Sequence, residues 1–434
     1  MSITKKRKMY MTGGIPIYPG GFSCVFKPQL KCKSKNKNKI KKNKTRRNQY
    51  SGISKLLFKQ HAKLEMDNIH LFYNALKSIP KSHKYFLFTK SKLCSPAKIS
   101  KRDLKGFDNM CSSFTSHEIN ESNINANIDN LRLINMPNAG LSVNEWLLNT
   151  RLTSARIILF NKIMSELIVN AIVPMNKKGV IHNDIKEDNI LISGSKTNPR
   201  PTIIDWGISG ISTSHNPIPE IIMNRYISIS NPFSSIIFTS DFMMSYSVFL
   251  QTHNNPLSPE ELSSFALSQY LKFKDIGHYS YVERFFIAAY TFQKKVMDPN
   301  PNPNPNPKVN ENEADEAQII EDTYHKYAAA YIADVLFHFT EFDQDLGTGK
   351  FQYAKYFTQV YIFNCDIWGS MCCYNVFFSI IKEPATIQDI NPVKYFNFLT
   401  RLLSIFTTEI MVNGDKKVNV NKLVTSLKGN YVPL

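Results

Sequence analysis

VIHNDIKEDNILI at residues 180–192 and IIDWG at residues 203–207 are the two stretches on which the reading of this chain turns. Short apolar runs, Ile190–Ile192 and Thr202–Ile204, read as strands, and the polar residues between and before them read as loops. Chemistry is commonly carried on loops held by such rigid supports. Within the first loop an acid (Asp184), a lysine two positions on (Lys186) and an amide five positions on (Asn189) lie close together in the chain. Asp205 follows Asn189 by sixteen positions, at the end of the next strand. A lone Asp or His is more often a turn former than a catalyst, so the joint spacing carries the signal.

That spacing resembles the protein kinase catalytic loop H-x-D-x-K-x-x-N followed by the metal-binding D-F-G. The resemblance implies in-line transfer of the ATP γ-phosphate. This reaction needs a carboxylate to accept a hydroxyl proton, a cation for the moving charge and oxygen ligands for Mg2+. Asp184 would be the base, Lys186 the phosphate contact, Asn189 and Asp205 the metal ligands, and His182 a structural support beneath the loop. Lys186 also separates reactions, because serine/threonine protein kinases carry a lysine there and aminoglycoside-type small-molecule kinases commonly do not.

Upstream, YPGGFSCV at residues 18–25 resembles a degraded G-x-G-x-F-G-x-V phosphate-covering loop, with Gly20, Gly21, Phe22 and Val25 in matching places. Tyr18 and Ser23 replace its outer glycines, and a plain turn would look similar. Lys55, in Gly-Ile-Ser-Lys, takes the place of the lysine that grips the α- and β-phosphates. Its helix partner would be Glu65, the only glutamate between Lys55 and Glu118, with Asp67 as fallback. Met136, where the strand Leu131–Met136 meets the connector Pro137-Asn138-Ala139-Gly140, joins the cofactor-binding set. Cys365-Asp366-Ile367-Trp368-Gly369 resembles the start of the central helix of a kinase large lobe, where Asp366 would hold the catalytic loop in shape.

Together these motifs resemble the divergent serine/threonine protein kinases of large nucleocytoplasmic DNA viruses, and Asn231-Pro-Phe-Ser-Ser235 resembles the segment those proteins carry in place of A-P-E. The implied fold is α+β and bilobal. A small β-rich lobe over residues 1–137 carries a basic disordered insertion at 31–50. A mainly helical lobe over 138–434 has an enlarged region 209–365 that includes a Pro/Asn linker at 299–307. Helices are predicted over Gln60–Ile79, Ser154–Val173, Glu260–Met297 and Glu313–Phe342, and a strand over Tyr85–Leu93. Three departures stand out: Asn183 replaces the arginine that grips a phosphorylated activation loop, Trp206 replaces the phenylalanine, and A-P-E is missing.

Charge and cysteines bound the remaining possibilities. The net charge of +18 is partly local, since Lys31–Arg47 holds ten Lys/Arg and no acid. That run reads as solvated chain with weak contact to nucleic acid or acidic surfaces as an accessory property. The seven cysteines are odd in number and never spaced Cys-x-x-Cys, which points to a reducing, intracellular compartment and no structural zinc. A viral origin would place the protein in host cytoplasm or virion. The amino-terminal charges have no apolar run behind them, as a secretory signal would, and no later run reads as a bilayer span. A pseudokinase that binds nucleotide or partners without transfer, a small-molecule phosphotransferase and a nucleic-acid-associated protein stay open. A protein substrate is implied, and neither its identity nor the oligomeric state is encoded in any motif.

Overall fold

The computed structural model of the chain describes residues 14–20, 23–33, 52–88, 91–149, 151–195, 197–225, 228–253, 257–273, 311–343, 348–380, 390–412 and 414–431. The protein is α+β and divides into two compact units, Met1–Asn74 with Leu87–Ala139, and Ala75–Phe86 with Gly140–Leu434. Gly21, Phe22, nearly all of the basic segment and the whole Pro/Asn linker lie outside the described residues.

The first unit is built on an antiparallel sheet of five strands: β1 (Ile15–Gly20), β2 (Ser23–Lys27), β3 (Ile53–Phe58), β4 (Lys92–Cys94) and β5 (Leu131–Met136). Their order is β1-β2-β3-β5-β4. Register places Lys55 between Val25 on β2 and Ile134 on β5. Helix α1 (Lys59–Leu76) follows β3 directly and buries Ala62, Met66, Ile69 and Phe72, a helical repeat of apolar residues. It stops short of the predicted Ile79, whose N–H closes a turn onto the Leu76 carbonyl at 3.0 Å ahead of Pro80.

Residues 95–130 follow no strong periodicity, and they supply about half of the buried cluster that packs on the sheet. Ile99, Leu104, Phe107, Phe114, Ile119 and Ile124 pack with Phe26, Leu56, Leu131 and Leu133 of the sheet. Each such side chain, fully buried, contributes about 1.5–3 kcal/mol. Two disulfides cross the same region, Cys24–Cys111 and Cys32–Cys94, with Cα atoms 5.3 and 5.7 Å apart. Four of the seven cysteines are thus paired, a feature that the odd number and scattered spacing did not announce. Cys365, Cys372 and Cys373 are free and buried. The pairs were hidden because they join residues 87 and 62 positions apart, a distance no spacing motif spans.

The predicted strand Tyr85–Leu93 is also corrected. Ser82–Tyr85 is one helical turn, Phe86 makes a single bridge to Ile203, and among the described residues of this stretch only Lys92–Cys94 is a strand. The run begins in a helical turn, with the Phe86 N–H donating to the Ser82 carbonyl at 2.9 Å, which takes Tyr85 out of an extended conformation.

In the second unit, β6 (Leu141–Ser142), β8 (Ile190–Ser195) and β9 (Asn198–Ile203) form one small sheet, while β7 (Val180–Ile181) pairs with β10 (Gly210–Ile211) in another. A helix runs from Ser154 to Lys177, with a π turn at Ile168–Ile172 just before Pro174, which has no N–H to give. By length and composition this helix could cross a membrane, but 56% of its apolar window is buried, the setting of a core helix. It is the only such helix among the described residues.

Helices Pro259–Lys272 and Glu311–Phe339 meet through a 3.0 Å hydrogen bond between the hydroxyls of Tyr270 and Tyr324. Phe233 sits at the centre of an aromatic cluster, 4.9–5.8 Å from the rings of Tyr270, Tyr324, Tyr331 and Trp368. Trp368 belongs to helix Ile362–Cys372, which is buried along nearly its whole length. Gly369 of that helix lets it approach the loop after β7, because a β-carbon there would lie 2.4 Å from the Ile185 carbonyl oxygen.

Candidate active site

The loop between β7 and β8 gathers Asp184, Lys186 and Asn189. Asp184 Oδ2 accepts from Lys186 Nζ at 2.9 Å and from Asn189 Nδ2 at 2.8 Å. Asn189 Nδ2 also donates to the Asp184 carbonyl at 2.8 Å, so one amide fixes both the backbone and the side chain of the acid. Ser230 Oγ approaches the other carboxylate oxygen at 3.5 Å.

Beneath the loop lies a buried carboxylate. Asp366 Oδ1 accepts the Asn183 N–H at 2.9 Å, and Oδ2 accepts the His182 N–H at 2.9 Å and Asn176 Nδ2 at 2.8 Å. Burial raises the Asp366 pKa, with His182 and these donors opposing. Donors aimed at both oxygens suit the ionised form, since a neutral acid would turn one oxygen into a donor facing an N–H. Asn183 adopts φ 64°, a left-handed conformation that Asn tolerates better than most residues.

His182 is fully buried and its two ring nitrogens have distinct partners. Nδ1 accepts the Asp184 N–H at 3.3 Å, so Nε2 carries the proton that meets the Ile204 carbonyl at 3.0 Å. Its ring lies edge-on to Trp206, with centroids 4.8 Å apart. Trp206 in turn contacts Phe86 at 5.7 Å. Asp205 precedes it at φ 64°, and the Ile204 N–H donates to the Asn189 carbonyl at 3.0 Å, tying the second acid's strand to the first loop.

Asn189 commits its Nδ2 hydrogens to Asp184, which leaves Oδ1 as an acceptor for a cation. An amide oxygen and the Asp205 carboxylate are the hard donors that Mg2+ takes, alongside waters and phosphate oxygens. No group of three His, Cys, Asp or Glu side chains suited to a metal occurs among the described residues.

In the first unit, Lys55 Nζ pairs with Glu65 Oε2 at 2.9 Å, both side chains mostly shielded. Asp67 is exposed on the same helix. Val25 is half-buried opposite Lys55, Gly20 ends β1 paired with Ser23, and the Met136 carbonyl accepts Gln29 Nε2 at 3.0 Å.

Sequence reasoning missed a clasp made by Asn231. Its Nδ2 donates to Asn183 Oδ1 at 2.8 Å and to the Asn183 carbonyl at 3.2 Å, and it lies 3.2 Å from Cys365 Sγ. Trp368 Nε1 donates to the Ile229 carbonyl at 3.0 Å, so the segment 229–231 is held from both sides. The Asn-Pro-Phe-Ser-Ser motif was the available signal, but nothing in it announces a partner 48 residues earlier in the chain.

No protein-family model matches the chain, and no curated protein matches it either.

Proposed function

We propose that the chain is an ATP-dependent serine/threonine protein kinase. The observation that carries this reading is the grip on Asp184: Lys186 and Asn189 on one carboxylate oxygen, over a loop whose backbone N–H groups are bound by buried Asp366. A carboxylate so oriented can accept the proton of an attacking hydroxyl. Lys186 can follow the charge of the moving phosphoryl group, and Lys55, steadied by Glu65, can bind the remaining phosphates. Asn189 and Asp205 would hold Mg2+, which when bound neutralises phosphate charge.

Asn231 does for Asn183 what a phosphate does for an arginine at that place, because it ties the downstream segment to the catalytic loop with neutral hydrogen bonds. Activity should therefore need no prior phosphorylation. Phosphatase-treated protein, incubated with labelled ATP, Mg2+ and generic basic and acidic acceptor proteins, is expected to place label on serine or threonine. Magnesium-dependent nucleotide binding without transfer would favour the pseudokinase, and transfer only after treatment with another kinase would remove the proposed role of the Asn183–Asn231 pair.

A further inference from the structure

Arg225 lies five residues before Ser230, which with Asn231 meets the catalytic loop, while Ile229 is held by Trp368 of helix Ile362–Cys372. Its own backbone is anchored nearby. Asn224, at φ 53°, donates its N–H to the Phe238 carbonyl at 3.2 Å and accepts the Ser240 N–H on Oδ1 at 2.6 Å. The Arg225 guanidinium is half-buried, and its Nε donates to the Ile221 carbonyl at 2.7 Å. The four Nη hydrogens meet no acceptor among the described residues, so the fork of the guanidinium is held at its base with its tips unused.

Burial lowers the Arg225 pKa, and Asp184 is the carboxylate whose charge opposes that shift. A half-buried cation with unused Nη donors, in the same segment as Ser230, whose Oγ reaches Asp184 at 3.5 Å, favours an incoming anion over continued solvation. A planar guanidinium takes carboxylate or phosphate oxygens in pairs. The chain's net charge of +18 adds a general attraction for acidic partners.

Resting on the kinase reading, we propose that Arg225 is a specificity-determining residue that selects acceptor peptides bearing an anionic group, carboxylate or phosphate, at a position flanking the acceptor hydroxyl. The flanking position follows from the placement of the segment, because Ser230 of that segment reaches Asp184 at 3.5 Å while Asp184 itself must meet the hydroxyl.

The test uses the full chain and three peptide series that differ only beside the acceptor serine: alanine, aspartate or phosphoserine. The ratio of kcat/KM for anionic over alanine peptides is expected to be about tenfold or more in the wild type, the lower range for a charge-assisted hydrogen bond. It should fall towards unity in R225Q through a rise in KM for the anionic peptides, with R225K intermediate. Whichever anionic series has the larger ratio identifies the preferred group. A wild-type ratio near unity overturns the inference while leaving the kinase reading intact, as does a ratio unchanged in R225Q. If Arg225 served only to offset the Asp184 charge, R225Q would lower kcat equally for all three series. Absence of transfer to every peptide would sink the kinase reading and this inference with it.

Discussion

Replacing Asp184 with Asn is expected to lower phosphoryl transfer by about 10²–10⁴-fold, the range for loss of a positioned general base, with little change in thermal stability. An asparagine side chain keeps an oxygen that can accept from Lys186 and Asn189, so the local hydrogen bonds survive. What disappears is the capacity to take a proton from an attacking hydroxyl. Initial rates with labelled ATP on one acceptor protein, beside a thermal melt, separate the two effects. A D184N protein that transfers phosphate within twofold of wild type would remove Asp184 from the role of base.

The second large effect concerns stability and activity together. Asp366→Ala strips acceptors from two backbone N–H groups and one buried amide at once. Each buried polar group left unsatisfied costs about 1–3 kcal/mol, so the expected loss is at least about 3 kcal/mol. For a protein of this size that corresponds to a melting shift of about 3–5 °C or more. Because Asp366 holds the His182–Asn183 backbone, on the proposed kinase reading it would act as a positioning residue. D366A should therefore lower kcat more than it raises KM for ATP at a temperature where the protein is still folded. D366N, which keeps the size but points an amide NH2 at one of those N–H donors, should fall between. Unchanged melting in both variants would show that the carboxylate is not what supports the loop.

How much of this could be read from sequence depended on how local each interaction is. The Asp184–Lys186–Asn189 set sits within six residues, so its hydrogen-bonded grouping was legible at once. Strands β8 and β9 showed as apolar runs beside it. Lys55 and Glu65 lie ten positions apart across a strand-to-helix junction, with no other glutamate nearby to compete. The Asn183–Asn231–Cys365 clasp had no such help. Its members are polar or small, follow no periodicity, and are brought together by packing of helix Ile362–Cys372 against the loop. Residues 95–130 were illegible for a related reason: their buried side chains come singly from short turns, without a repeat of two or 3.6. Arg225 could not be singled out in a chain rich in cations until its half-burial was visible.

The two disulfides are nested, since the bond from Cys24 to Cys111 encloses the one from Cys32 to Cys94. Both covalent rings therefore contain residues 33–47, which hold nine of the ten Lys/Arg of the basic run and are dense in tryptic sites. A single cut there opens both rings but releases nothing, because two bonds still join the pieces. Limited trypsin should thus leave one full-length band on a non-reducing gel and two fragments after thiol treatment. The severed β2 and β3 would stay tethered as a two-chain sheet, so a nicked preparation would pass for intact until reductant was added.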